Sequence, residues 1–152
     1  MRPEVNDDFL DVIHALVDAG AEFIVVGAHA LAAHGLIRAT GDLDLFVRPS
    51  KANAARVMSA LRAFGAPLDA HGVEASDFET SGNAYQLGLP PRRIDLLTSI
   101  SGVSFDDAWA SRQAVCFGIV EASVLGKDAL LRNKRAAGRP RDLLDADELE
   151  RL

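Results

Sequence analysis

The sequence predicts an α/β chain, a β-sheet with helices packed on it. Helical and strand periodicities alternate along its length, which is the pattern of a sheet covered by helices. The 152 residues fit one domain, 1–152, with no internal repeat, low-complexity tract or long linker. The composition, 49% apolar and 25% charged, is that of a globular chain rather than a disordered one.

Taken in order, Val5, Phe9, Val12, Ile13, Leu16 and Val17 recur at helical spacing, and Gly20 supplies a left-handed stop. Glu22 to Gly27 is a continuous apolar, β-branched run, the pattern of a buried strand. Ala28 to His34 is alanine-rich and helix-compatible, ending at Gly35. Asp42 to Val47 alternates aspartate with apolar residues, which predicts a strand with one polar face. Ser50 caps a helix that carries Val57, Met58, Leu61 and Phe64 and stops at Gly65. Pro67 to Gly82 gives no clear periodicity and is expected to include loop. Ala84 to Leu89 and Arg92 to Thr98 read as two strands turned at Pro90-Pro91. A short helix from Phe105 to Arg112 follows, capped by Ser104, and Val115 to Val120 reads as one further strand. The end is helical: Lys127 to Ala137, a Gly138-Arg139-Pro140 break, then Arg141 to Leu152 with Leu143, Ala146, Leu149 and Leu152 spaced by three.

The net charge of −6 argues against broad nucleic-acid binding, but it is unevenly spread. Six basic residues between Lys127 and Arg141 face one acid, giving that segment +5 and the rest −11. Such a run is either a solvated helix face or an anion site. Cys116, the single cysteine, excludes an intrachain disulfide, and its apolar surroundings predict a buried, inert thiol. No apolar stretch approaches the roughly 20 residues of a membrane span. The mixed, acidic start Met1 to Asp8 is unlike a signal peptide. Both observations point to the cytoplasm and to no membrane partner.

The chemistry concentrates in aspartates. Asp42 and Asp44 are two apart on a strand, so their carboxylates face one way and repel unless a cation or protons neutralise them. Such a pair of hard oxygens suits magnesium. Asp95 is another aspartate in an apolar strand. If its strand neighbours the first, three carboxylates converge and can hold two metals about 3.5–4 Å apart. The structural alternative makes Asp42 a turn residue, leaves Asp44 in solvent and pairs Asp95 with Arg93 or a neighbour. Upstream, a strand ends at Val26-Gly27-Ala28 and a helix begins at once, thirteen residues before Asp42. Glycine at such a joint lets a phosphate approach the backbone, and a helix start offers free amides. An anion cradle and a metal pair together suit a nucleoside triphosphate with its magnesium.

Val25-Val26-Gly27-Ala28, His34-Gly35, Arg38-Ala39-Thr40, Asp42-Leu43-Asp44-Leu45, a later strand with Asp95, and the ending Lys134-Arg135-Ala136-Ala137-Gly138-Arg139-Pro140-Arg141-Asp142 with Asp145 carry a resemblance. Over residues 20 to 150 the chain resembles the DNA polymerase beta-like nucleotidyltransferases, in particular the minimal bacterial branch that includes the AbiEii-type toxin enzymes. The resemblance implies an α+β fold with a mixed sheet flanked by helices. It implies that Asp42 and Asp44 bind Mg2+, with Mn2+ an alternative, and that Asp95 assists as ligand or general base. Two ions take part in such turnover. It further implies that Gly27 and the helix start receive phosphates, helped by the basic helical segment 127–152. One departure stands out. Many members carry Gly-Ser or Gly-Gly where this chain has Gly27-Ala28, and the missing hydroxyl leaves the triphosphate to backbone amides and Lys134. By the same resemblance the acceptor is a transfer-RNA end, a protein partner or a small molecule, and toxin–antitoxin or phage-defence membership fits. An oligomer is compatible with all of this.

Around this centre, Arg38 is expected to contact phosphate or substrate and Thr40 to order the metal loop. The alternatives are a surface arginine and a loop cap. Lys134 reaches a phosphate or is solvated, and Arg141 and Asp142 open the last helix, with Asp142 paired to Arg139. His29 and His34 lack zinc spacing, and His34 reads as a helix-end residue. His14 and His71 carry no signal. A rival function is a non-catalytic nucleotide- or partner-binding member of the same fold, such as the neutralising half of a toxin pair. Haloacid-dehalogenase-type phosphatases and sugar-transferring D-x-D enzymes need downstream signals or a chain length that this sequence lacks.

Overall fold

The computed structural model describes residues 5–152, so the first four residues of the Met1–Asp8 stretch lie outside it. Six α-helices and six strands are present among the described residues, in a single mixed sheet of order β3-β4-β2-β1-β6-β5. The α/β expectation from the alternating periodicities therefore holds.

Helix α1 (Asp7–Asp18) is capped by the Asn6 side chain, which accepts from the Phe9 amide. It buries Phe9, Val12, Ile13 and Leu16, while Val17 is exposed. Strand β1 (Phe23–Val26) is buried throughout, as a central strand should be. Helix α2 (Gly27–Ala33) follows without a linker, and β2 (Asp42–Val47) returns antiparallel to β1. Helix α3 (Lys51–Phe64) is capped by Ser50 and packs against α1.

Segment 67–82, expected to include loop, contains one short 3-10 turn, Ala75–Phe78, which anchors Phe78 in the core. Strands β3 (Ala84–Leu87) and β4 (Arg93–Leu97) pair antiparallel, and β4 lies parallel to β2. A short helix α4 (Phe105–Ala110) sets Phe105 edge-on against Phe46 of β2. Helices α5 (Lys127–Ala137) and α6 (Pro140–Glu150) pack on one another. In α6, Ala146 and Leu149 are buried, but Leu143 and Leu152, expected on the same stripe, are exposed.

Two expectations are corrected. The single strand read over Val115 to Val120 is a hairpin of β5 (Gln113–Phe117) and β6 (Val120–Val124). Its two-residue link is Gly118-Ile119, with Gly118 at φ 62°, a glycine at the first linking position as in type II′ hairpins. The turn is hidden in sequence because its second residue is apolar. Ile119 is fully exposed at the tip. The same geometry exposes Cys116, which was expected to be buried. Strand β5 is the sheet edge, and its alternation turns Phe117 inward and Cys116 outward. Among the described residues, no helix is long and apolar enough to cross a membrane.

The core holds one polar strut that no local pattern revealed. Asn53 is 2% exposed. Its amide oxygen accepts from the Glu22 backbone at 2.7 Å, and its nitrogen donates to the carbonyls of Glu22 and Arg48 at 2.9 and 3.0 Å. It therefore ties α3 to the start of β1 and the end of β2. Asn53→Ala leaves the Glu22 amide without a partner, while the Glu22 and Arg48 carbonyls keep the Arg48 and Ser50 amides. It should lower the unfolding free energy by about 1–3 kcal/mol in urea denaturation. A loss under about 0.5 kcal/mol would show that the strut carries little.

Candidate functional site

The strand alternation of β2 puts Leu43, Leu45 and Val47 in the core and leaves Asp42 and Asp44 on the opposite face. Burial of Ile94 and Leu96 anchors β4 in the same way. The parallel β2–β4 register then sets Asp44 directly beside Asp95, and Asp42 beside Arg93. The two strands are neighbours, and the carboxyls of Asp44 and Asp95 meet.

Their meeting has an electrostatic consequence. The two carboxyls crowd one another on a buried face, and their charges repel unless a proton or a cation answers them. Burial, then the charges of Asp95 and Asp42, push the Asp44 carboxyl up to about 7, against a smaller opposing pull from Arg93. Asp95 is 6% exposed, and its Oδ1 is buried without a hydrogen-bond partner, as is Oδ1 of Asp42. Arg93 supplies the local positive charge. A terminal nitrogen donates to Asp95 Oδ2 at 3.1 Å, and its Nε stands 3.4 Å from Asp42 Oδ1 without hydrogen-bond alignment. The pairing of Asp95 with Arg93, set out as a structural alternative, thus coexists with the convergence of the carboxylates.

Among the described residues, no three His, Cys, Asp or Glu side chains already stand at ligand spacing, and Asp42 is turned toward Arg93. In chemistry the donor set still fits a hard divalent cation: three carboxylates, two with buried oxygens lacking a partner, on rigid adjacent strands.

Gly27 opens α2 with φ 69°. A Cβ there would collide with Oδ2 of Asp44, so both the backbone angle and the space beside the carboxylate demand glycine. Thr40 accepts from the Asp42 amide at 3.1 Å and donates to the Asp42 carbonyl at 3.2 Å, which orders the entry to β2.

All eight residues singled out from sequence, Gly27, Ala28, Arg38, Thr40, Asp42, Asp44, Asp95 and Lys134, line one cleft of about 620 Å³. Two of them are engaged otherwise than expected. Arg38 donates to Asp145 at 3.1 Å and to Glu148 at 2.7 Å, and Lys134 lies 3.4 Å from Asp142 and 3.5 Å from Asp145. Their charge is committed to acids of α6, of which Asp142 and Asp145 are each 2% exposed. Arg139 closes this second cluster on Asp142 at 2.6 Å, the pairing suggested by the sequence. Burial works to raise Asp142, but the hydrogen bond from Arg139 and the charges of Lys134 and Arg139 outweigh it and hold its carboxyl below the ordinary range. Of the cleft's cations, Arg141 alone makes no ion pair among the described residues.

Sequence reasoning gave Arg93 only a structural role and did not find the Asp142–Asp145 cluster. The signal for Arg93 was its position two residues before Asp95, hence on the same strand face. His34 is a helix-end residue as expected, its Nε2 2.7 Å from the Leu125 carbonyl. His29 is buried edge-on against Phe9, and burial holds it below its usual range against a hydrogen bond to the Asp42 backbone. It packs behind the site.

A scan against protein-family models and a search of curated proteins returned no match.

Two outcomes follow from this geometry. The Asp44 carboxyl has an unperturbed value of 3.8 and stands at about 7 in the fold. A raised carboxyl stabilises the fold below the unfolded value, and that contribution is lost as pH rises through the folded one. In protein stripped of divalent ions, the stability difference between wild type and Asp44→Asn should therefore shift against wild type between about pH 4 and 7. Thermal melts across pH read this directly, and parallel pH dependences for the two proteins would refute it. Separately, Gly27→Ala should cost about 1–3 kcal/mol through strain and displacement of Asp44. Urea denaturation that shows no loss would mean that Asp44 moves aside freely.

Proposed function

We propose that the protein is a Mg-dependent nucleotidyltransferase that moves a nucleoside monophosphate from a nucleoside triphosphate to a hydroxyl acceptor. The reading rests on one observation above others: Asp44 and Asp95 face each other across parallel strands, with Asp42 on the same face, beside a glycine-opened helix start. The resemblance to the polymerase beta-like enzymes, in particular their minimal AbiEii-type branch, supports it.

Asp42, Asp44 and Asp95 would hold the divalent ions, Mg2+ or Mn2+. When bound, these supply Lewis-acid activation of the phosphoryl oxygens and lower the pKa of the acceptor hydroxyl. Asp95 receives the acceptor's proton, for which its unpartnered Oδ1 is available. The acceptor oxygen bonds to the α-phosphorus, the bond from that phosphorus to the bridging oxygen breaks, and pyrophosphate leaves. Backbone amides at Gly27 and Ala28 face the phosphates. Arg141, free of ion pairs among the described residues, is the side chain best placed to add charge. Arg38 and Lys134 act by holding α6 against the cleft rather than by direct grip.

The acceptor is a transfer-RNA end, a protein hydroxyl or a small molecule. A cytoplasmic setting and a role in toxin–antitoxin or phage-defence systems accompany the resemblance. Ala28, which lacks a hydroxyl, favours the second reading, a nucleotide- or partner-binding member of the same fold without turnover.

Incubation with Mg2+, each α-labelled triphosphate, and cellular RNA or lysate should label an acceptor. Asp95→Asn should slow transfer by about 10²–10⁴-fold, and Asp44→Asn should abolish it. Triphosphate binding without transfer would establish the second reading. Transfer unaffected by Asp44→Asn would place the chemistry elsewhere.

A further inference from the structure

The carboxylate cluster contains a cation of its own. Arg93 is the register partner of Asp42 and lies two residues before Asp95, so its side chain leaves the sheet on the carboxylate face. Its guanidinium lies between the two groups, 3.1 Å from Asp95 Oδ2 and 3.4 Å from Asp42 Oδ1. The fork reaches both acids where a point charge would favour one. The Asp42 contact lacks hydrogen-bond alignment and leaves Oδ1 of Asp42 and Nε of Arg93 unsatisfied although buried. It is a held charge contact rather than an optimal structural bond.

A divalent ion ligated by Asp42 and Asp95 would stand within a few ångströms of this like charge whichever carboxylate oxygens it took, so the two cations oppose one another. Arg93 can yield without disturbing the sheet. Its backbone amide is fixed to the Gly41 carbonyl at 3.1 Å, while its side chain is 32% exposed and lines the cleft.

We infer that Arg93 competes with the divalent ion for Asp42 and Asp95 and thereby sets the metal affinity of the centre. The inference rests on the reading of these carboxylates as a metal centre. Arg93 makes the cluster tolerable during folding and selects for an ion strong enough to displace a guanidinium. Once displaced, its side chain points into the cleft.

The test is Mn2+ titration of the full chain, followed by electron paramagnetic resonance. Arg93→Gln should bind Mn2+ roughly ten-fold tighter or more than wild type, because a positive charge a few ångströms from the ligands is gone. Arg93→Lys should fall between the two, and Asp44→Asn should bind more weakly than wild type. In wild type, which needs no altered chain to fold, the arginine side-chain Nε–H signal of Arg93 should move and exchange faster with water on addition of Mg2+. Unchanged or weaker Mn2+ binding by Arg93→Gln, with Asp44→Asn still impaired, overturns this inference and leaves the metal centre standing. An Arg93 signal indifferent to Mg2+ in a wild type that binds the ion does the same. Absence of Mn2+ binding by every one of these proteins overturns the metal centre and this inference together.

Discussion

Two carboxyl groups, Asp44 and Asp95, are held side by side by the backbone hydrogen bonds of parallel strands. Like charges directly across a sheet oppose its formation, so the fold must neutralise them. It does so in two ways: the raised Asp44 carboxyl, which keeps its proton to higher pH, and the Arg93 guanidinium against Asp95 and Asp42. The rest of the centre follows from that crowding. Leu43, Leu45, Ile94 and Leu96, buried on the opposite face, prevent the strands from sliding to relieve it. Gly27 has no side chain because Asp44 occupies the space where one would go.

Around this first cluster stands a second. Asp142 and Asp145 are buried on α6 and balanced by Arg38, Lys134 and Arg139, which arrive from the loop before β2, from α5 and from the start of α6. A buried ion network of this kind is weak evidence for stability but strong evidence for fixed geometry, since removal of one partner strands the others. Here the fixed object is the wall of the cleft. The +5 charge of segment 127–141 is therefore largely answered within the fold. The part that remains open to a ligand is smaller than the count suggests, and Arg141 is its clearest member.

Local signals carried far. The Asp-Leu-Asp-Leu alternation matched β2 at both ends, and Ser50 and Gly65 bracketed α3. The cleft residues were legible because strand parity and helix starts are local properties. What stayed hidden depends on distant partners. Arg38 and Asp145 are 107 positions apart, and no pattern near either residue states that they meet. The hairpin of β5 and β6 was missed because Gly118 sits in an apolar run and its partner in the turn is isoleucine. Cys116 follows from the same error: an apolar neighbourhood predicts burial only where both faces of a strand are covered, and an edge strand is not.

The choice between turnover and simple binding turns on why so awkward a centre exists. A module that only gripped a triphosphate would be served by helix-start amides and arginines. It would gain nothing from two facing carboxylates that repel the ligand's own charge. Those carboxylates become useful when a cation must be held at a fixed point and a proton must be received beside it. Asp95, nine-tenths buried with one oxygen unpartnered, has the form of such an acceptor. Ala28 would weaken the hold on a triphosphate, but it removes nothing from the groups that would perform the proposed transfer.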